Sequence, residues 1–328
     1  MKICLYGAGA VGGVIGAHIA ASGRALSVVA RGATLDALQR NGLGLEAKGK
    51  RNHYPVRAVA NAAELGPQDL VIVAVKEPAM AAVAAGISPL IGPATKVMTA
   101  MNGVPWWFFD GLPGPLEGAT LDSVDPANAL RAKIPSAQII GCVVHIACST
   151  IEPGVSIQKM GNGLIIGEPC GAASDATRAV AAMLADAGLD ITLSEHIQRE
   201  IWFKLWGNMT MNPISALTGA TSDRLLDDPL VNAFCVNIME EAAAVGERIG
   251  CPVAQPPAAR NAITRSMGAM KTSMLQDVEA GRTLEIDALL GVVHEIAGKA
   301  GIAVPNIAAL LGLLRVFAQS HGLDHART

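Results

Sequence analysis

The stretch LYGAGAVGGVIGAHIAASG, residues 5–23, decides the fold, because it sets six glycines among small apolar residues close to the start of the chain. The opening KICLYG reads as a short buried β-strand and the residues after Gly9 as a helix. Gly7, Gly9 and Gly12 therefore fall on the strand-to-helix turn in the G-x-G-x-x-G spacing. In such a turn the first glycine bends the chain, the second leaves room for a pyrophosphate against the backbone, and the third lets helix and strand close on each other. The bound anion would rest on free N–H groups at the positive end of the helix. The expected phosphate loop is Gly7, Ala8, Gly9, Ala10, Val11 and Gly12.

A lone glycine pattern also occurs in ordinary turns, so context has to separate the two. This one follows a strand, opens an amphipathic helix, and is followed at the expected distance by a second apolar strand, Leu26-Ser-Val-Val-Ala-Arg31. The end of that second strand bears on the choice of dinucleotide. NAD sites usually place a carboxylate there for the ribose 2′-hydroxyl, whereas NADP sites supply a cation. The chain reads Ala30-Arg31-Gly32, with no acid. A guanidinium grips a 2′-phosphate through two charge-assisted bonds, so NADP(H) is the expected cofactor and Arg31 its phosphate partner; the plainer alternative is a surface arginine.

With 328 residues the chain is long enough for two domains. At 51% hydrophobic and 3% aromatic residues, its cores must be built from aliphatic side chains and Met. No apolar run reaches membrane-spanning length uninterrupted, and the chain opens on the first strand of the nucleotide fold. A cytoplasmic protein with no membrane association is expected. A formal charge of −3, with Lys and Arg scattered, gives no footprint for nucleic acid. Cys4, Cys142, Cys148, Cys170, Cys235 and Cys251 form no C-x-x-C pair and read as small buried hydrophobes of a reduced compartment, with no metal site expected. His145, on an apolar strand, reads as a satisfied core histidine.

Strands and helices alternate through the first half: strands over 70–75, 96–101, 139–147, 163–167 and 190–194, helices over 78–86 and 175–187. That alternation predicts a doubly wound sheet. Residues 104–137, rich in Gly, Pro and Asp, have no period and read as a long excursion. After 195 only helical patterns remain, over 196–217, 229–249, 256–279, 283–301 and 305–320, before a polar end at 321–328 expected to be disordered. The expected fold class is thus α/β, an N-terminal Rossmann-like doubly wound sheet over 1–195 with a C-terminal all-helical domain over 196–328.

Ligands of an open α/β sheet bind past the carboxyl ends of its strands, which draws attention to Lys76 and to Asn102-Gly103. In REIWFKLWGNMTMNPISAL, Lys204, Asn208 and Asn212 are spaced i, i+4, i+8 and share one face of an otherwise apolar helix. Polar groups in such a setting must find partners or be costly to bury. Pro213 is expected to kink or end that helix. In KTSMLQDVEAGRTLEID the polar residues Ser273, Gln276, Asp277, Glu285 and Asp287 lie in helices that otherwise look packed, with a turn at Gly281. Spacing alone does not distinguish a functional carboxylate there from a cap or a partner of Arg282.

These residues together resemble the ketopantoate reductases (2-dehydropantoate 2-reductases), which reduce a 2-oxo acid with NADPH. The resemblance covers essentially the whole chain: GAGAVGG at 7–13, Arg31, Val75-Lys76, Asn102-Gly103, WFKLWGN at 202–208 with Asn212-Pro213, and TSMLQD at 272–277 followed by Glu285-Ile-Asp287. It implies Lys204 as proton donor to the ketone oxygen, with Glu285 positioning it and contacting the nicotinamide side. It further implies Asn102 against both cofactor and substrate, Lys76 near the nicotinamide ribose, and a backbone contact from Ala147. Asn208 and Asn212 would meet the substrate's hydroxyl and keto end, and Ser273 its carboxylate. Hydride arriving at a ketone carbon leaves negative charge on oxygen, which a nearby ammonium stabilises and protonates.

The chain departs from the pattern at Met101, where Gln is expected, at Ser222, where a substrate-contacting Asn is expected, and in the longer segment 104–137. Two alternatives follow: a related reductase for another 2-oxo or 3-hydroxy acid, and a non-catalytic NADP sensor. The partner is a small-molecule 2-oxo acid, and the sequence leaves open whether two chains pair as a homodimer.

Overall fold

The computed structural model describes residues 1–324. Its sheet begins with β1 (Ile3–Tyr6), followed by α1 (Ala10–Ala21), β2 (Leu26–Val29), α2 (Gly32–Asn41), β3 (Leu43–Ala47), β4 (Lys50–Tyr54) and β5 (Arg57–Val59). It continues through β6 (Leu70–Val73), α3 (Met80–Gly86), β7 (Lys96–Ala100), β8 (Ile139–Glu152), β9 (Val155–Gly167), α4 (Asp175–Asp186) and β10 (Asp190–Leu193). The strand order is β4-β3-β9-β8-β7-β6-β1-β2-β5, with β10 pairing β9. The run from β8 through β7, β6, β1 and β2 to β5 is parallel throughout. Only β3–β4 and β8–β9 pair antiparallel.

The central strand β6, Leu-Val-Ile-Val, is fully buried, as a parallel strand covered on both faces requires. Successive side chains point to opposite faces, so its Leu70 and Ile72 pack beneath α1 and α4, while Val71 and Val73 face the other way. That second face packs with Met80, Val83 and Ala84 of α3. It is continuous with the helical half, in one cluster that runs from Val97, Ile139 and Val143 to Trp202, Met239 and Leu290.

Every regular element among the described residues after β10 is a helix: α5 (Ile197–Thr218), α6 (Ser222–Asp227), α7 (Pro229–Arg248), α8 (Pro257–Ser266), α9 (Ser273–Glu279), a π-helical turn at Asp287–Gly291 running into α10 (Val292–Ala300), and α11 (Pro305–Ser320). Several expectations need correction. Pro213 does not end its helix: α5 continues to Thr218, where left-handed Gly219 caps it. Buried Met209, Met211 and Ile214 hold the turn on either side, and packing outweighs the lost ladder bond. The single helix expected over 256–279 is two, because Gly268 turns the chain at φ +70° and the Thr272 hydroxyl then caps α9 through Leu275 N–H at 3.2 Å.

Residues 104–137 carry little regular structure, yet they are core. Trp106, Trp107, Phe108, Phe109, Leu121, Leu130 and Ile134 are buried, and Phe108 lies 6.1 Å from Trp202 of α5, centroid to centroid. Strands β3, β4 and β5 and helix α6 are too short or mixed to be anticipated, whereas α2 went unanticipated although Leu35 and Leu38 are spaced to share a face. Of the polar end, 325–328 lie outside the described residues; before them Leu323 is buried and its carbonyl accepts from Leu284 N–H at 3.0 Å, so that part is packed.

Candidate active site

At the end of β1, Gly7 takes φ +99°, and a side chain there would press on Val75 and on the Ala74 carbonyl of the neighbouring strand. At Gly9 the reason for glycine is different, since an added Cβ would meet nothing within 4 Å. Packing within the chain therefore does not require it, and the open space lies over the N-terminus of α1. That terminus has no side-chain cap and no acidic residue in its first turn. Ala8 and Gly12 are buried, and Ala10 and Val11 partly so. A cradle left open over uncapped N–H groups fits a phosphate.

Arg31 caps α2 with its backbone, is exposed, and pairs with no carboxylate among the described residues. It stands beyond β2 near the end of β1, where its charge opposes the effect of burial, which raises the Tyr6 phenol. A free guanidinium beside the glycine turn fits a second phosphate, the 2′-phosphate of NADP(H).

Strands β7 and β8 run parallel with Ala100 beside Cys142, so Asn102 and the Val144 carbonyl emerge at the same level of the sheet. Lys204 of α5 reaches both, its Nζ donating to Asn102 Oδ1 at 2.9 Å and to the Val144 carbonyl at 2.6 Å. Burial lowers the Lys204 pKa to about 8, with the Glu285 carboxylate among the charges that oppose the fall. Glu285 is itself buried, which raises its pKa, while the Lys76 ammonium and an N–H donated by Glu77 at 3.2 Å pull it back down.

A second link crosses from sheet to helices. Lys76, just past β6, forms an ion pair with Asp277 of α9, whose other oxygen accepts from Arg282 Nε at 2.9 Å. Asn212 Nδ2 donates to the Ser273 hydroxyl at 3.2 Å, joining α5 to the first residue of α9. Asn208 is half-buried with no hydrogen-bond partner among the described residues. Ala147 lies exposed on β8, three residues past Val144.

The fold thus gathers Lys76, Asn102, Lys204 and Glu285 into one network at the carboxyl edge of the sheet, with the pair Asn212 and Ser273 contributed by α5 and α9. His145 corrects the sequence reading: it is an exposed residue beside this network, because its neighbour Val144 takes the buried face of β8. Ser222 is buried, its hydroxyl donating to the Gly268 carbonyl at 3.2 Å, so it ties α6 to the turn before α9. Two contributors escaped the sequence. The Val144 carbonyl is a backbone atom and leaves no trace in residue types. Asp277 stood out as polar, but its partner Lys76 is 201 residues away.

A glycine-rich first turn on a parallel sheet, with a lysine brought to the sheet's carboxyl edge by a helical partner, defines an oxidoreductase of the Rossmann type. Residues 3–170 match the family model described as "Ketopantoate reductase PanE/ApbA", and residues 196–318 match its C-terminal counterpart. The chain is 43% identical over 98% of its length to the 2-dehydropantoate 2-reductase of Mesorhizobium japonicum, covering 99% of that protein. Among solved structures, a chain from Ralstonia solanacearum MolK2, provisionally assigned as a ketopantoate reductase, matches with TM-score 0.95 and 57% identity over 98% of this chain and 99% of that one. D-mandelate dehydrogenase in complex with NADH and anilino(oxo)acetate shares the fold at TM-score 0.82 and 20% identity, over 98% of this chain and 100% of that one. The chain belongs to the ketopantoate reductase family. No helix among the described residues is long and apolar enough to cross a membrane.

Proposed function

We propose that the chain reduces a 2-oxo acid with NADPH, 2-dehydropantoate being the leading substrate, and that Lys204 delivers the proton to the ketone oxygen. Residues 1–195 would carry the nucleotide and 196–328 most of the substrate groups. The observation that carries this reading is the Lys204 ammonium, held by Asn102 and the Val144 carbonyl at the sheet edge that the glycine turn also faces. The name of the Mesorhizobium relative supports the substrate. Reduced nicotinamide supplies a hydride when bound. The chain's own residues then have three tasks: Gly9, the first turn of α1 and Arg31 hold the phosphates, Asn102 and Lys76 line the approach, and Lys204 stabilises and protonates the developing alkoxide. Glu285, buried and with a carboxylate that acts on Lys204 through its charge, positions it. A cytoplasmic location suits a reaction drawing on NADPH, and a ketopantoate reductase from Staphylococcus aureus of the same fold is described as dimeric, which makes a homodimer the assembly to test.

A different 2-oxo acid is the second reading, favoured by Ser222, whose hydroxyl is turned to Gly268 and adds no polar group to the cleft. NADPH oxidation with a panel of 2-oxo acids tests both. Turnover of 2-dehydropantoate well above the others supports the first reading, and turnover of none refutes both.

Arg31→Ala should remove most of the preference for NADPH over NADH. Losing a charge-assisted phosphate contact costs about 1.5–3 kcal/mol, or roughly 10- to 150-fold in kcat/KM for NADPH, with NADH little affected. A wild-type enzyme indifferent to the two cofactors would reduce Arg31 to a surface residue.

The lowered pKa of Lys204 sets a pH dependence with a definite sign. A proton donor must be charged, so ketone reduction should hold below about 8 and decline as pH rises through that value. The profile of kcat/KM for the oxo acid at saturating NADPH checks it; a rate that stays level to pH 10 would exclude Lys204 as donor.

A further inference from the structure

Arg260 is a half-buried cation with no anionic partner among the described residues. It lies in the first turns of α8, a helix fixed to α7 by the Asn261 amide donating to Asn232 at 2.9 Å. Its guanidinium carbon is 5.6 Å from the centroid of the Phe203 ring, and its Nε and Nη2 lie so close over Gly207 that a Cβ there would come within 2.8 and 2.9 Å of them. The Nε is buried with no hydrogen-bond partner, and no carboxylate among the described residues pairs with the group. The residue is half-buried, and a guanidinium in that setting with no carboxylate beside it keeps an uncompensated charge that a bound anion would offset.

Phe203 and Gly207 are one turn apart on α5 and immediately precede Lys204 and Asn208, so the guanidinium lies alongside the polar row. His145 is next in sequence to Val144, whose carbonyl holds Lys204. The imidazole pKa is lowered by burial first, then by the charges of Lys204 and Arg260. Two cations on different helices, α5 and α8, therefore act on the same imidazole.

We propose that Arg260 is a specificity-determining residue that receives the carboxylate of the substrate, so that the acid is fixed at α8 while the adjacent ketone faces Lys204. The proposal rests on the 2-oxo acid reading above. A neutral hydroxyl such as that of Ser273 can hydrogen-bond a carboxylate but does not compensate its charge, whereas a guanidinium does both. Glycine at 207 then has a stated purpose, since any side chain there would push the guanidinium off α5.

The test compares the intact wild-type protein with Arg260→Ala, Arg260→Lys and Gly207→Ala, at saturating NADPH, on the best 2-oxo acid and on its carboxamide. Loss of a carboxylate–guanidinium contact should raise KM for the acid about 10- to 100-fold in Arg260→Ala. Amide reduction and NADPH affinity should be unchanged, so the preference for acid over amide collapses. Arg260→Lys should recover part of the loss, because a point charge lacks the guanidinium fork. Gly207→Ala should also raise KM for the acid, and because alanine favours a helix interior it remains informative if Arg260→Ala does not fold. An unchanged KM in folded Arg260→Ala and Gly207→Ala, or equal losses on acid and amide, would overturn the proposal and leave Arg260 as packing on Phe203. If the wild type reduces no 2-oxo acid, the functional reading fails instead. Calorimetric binding of oxalate to wild type and Arg260→Ala then decides separately: weaker binding by the variant supports an anion receptor, equal binding refutes it.

Discussion

Lys204→Ala is expected to lower kcat for 2-oxo acid reduction by about 10²–10⁴-fold, the usual contribution of a positioned general acid, with NADPH affinity nearly unchanged. The split follows from position. Lys204 lies on α5 against Asn102 and the Val144 carbonyl, whereas the glycine turn and Arg31 belong to β1, α1 and the end of β2. On the proposed reading, removing the ammonium would leave the glycine turn and Arg31 intact but take away the charge that stabilises the developing alkoxide. The released partners, one amide and one carbonyl, are polar groups near the cleft that water can satisfy, so the fold should survive. Stopped-flow and steady-state rates with cofactor titration check both halves; a folded variant with undiminished kcat would remove Lys204 from the chemistry.

Trp107→Ala is expected to cost about 3–5 kcal/mol of stability, the range for deleting a buried large aromatic side chain. The ring is 1% exposed, its Nε1 donates to Thr99 Oγ1 of β7 at 3.3 Å, and it lies over Gly141 of β8. The surrounding segment is held at several points. Asp110 pairs with Arg131 at 2.7 Å, the Asp125 carboxylate accepts from Leu130 N–H at 2.8 Å and Arg131 N–H at 3.0 Å, and Glu295 of α10 accepts from Ser123 N–H at 2.8 Å. A cavity left at Trp107 could not close by local collapse. Urea unfolding measures the loss, and a change under about 1 kcal/mol would make the segment the loose excursion that its composition suggests.

The local geometry around the candidate site was legible in the sequence for a common reason. The glycine turn is a local device whose spacing, 7, 9 and 12, carries its own geometry, and Lys204, Asn208 and Asn212 share a face because helix periodicity puts them there. The alternation of apolar strands with helical patterns was likewise enough for the doubly wound sheet. Where patterns were short or mixed, as in β3 to β5, no local period was strong enough to announce a strand.

The amino-acid sequence by itself determined the glycine turn, the cationic end of β2 and the polar row of α5, because each depends on residues within a turn or two of one another, and it showed the alternation of strands and helices from which the doubly wound class follows. Only the tertiary structure decided that Lys204 meets Asn102 and Val144, that Lys76 pairs with Asp277, that residues 104–137 complete the shared core, and that Arg260 stands unpaired over Gly207. Those relations join groups from tens to some two hundred residues apart, and they exist because the second face of the sheet, beside α3, shares one buried core with the C-terminal helices.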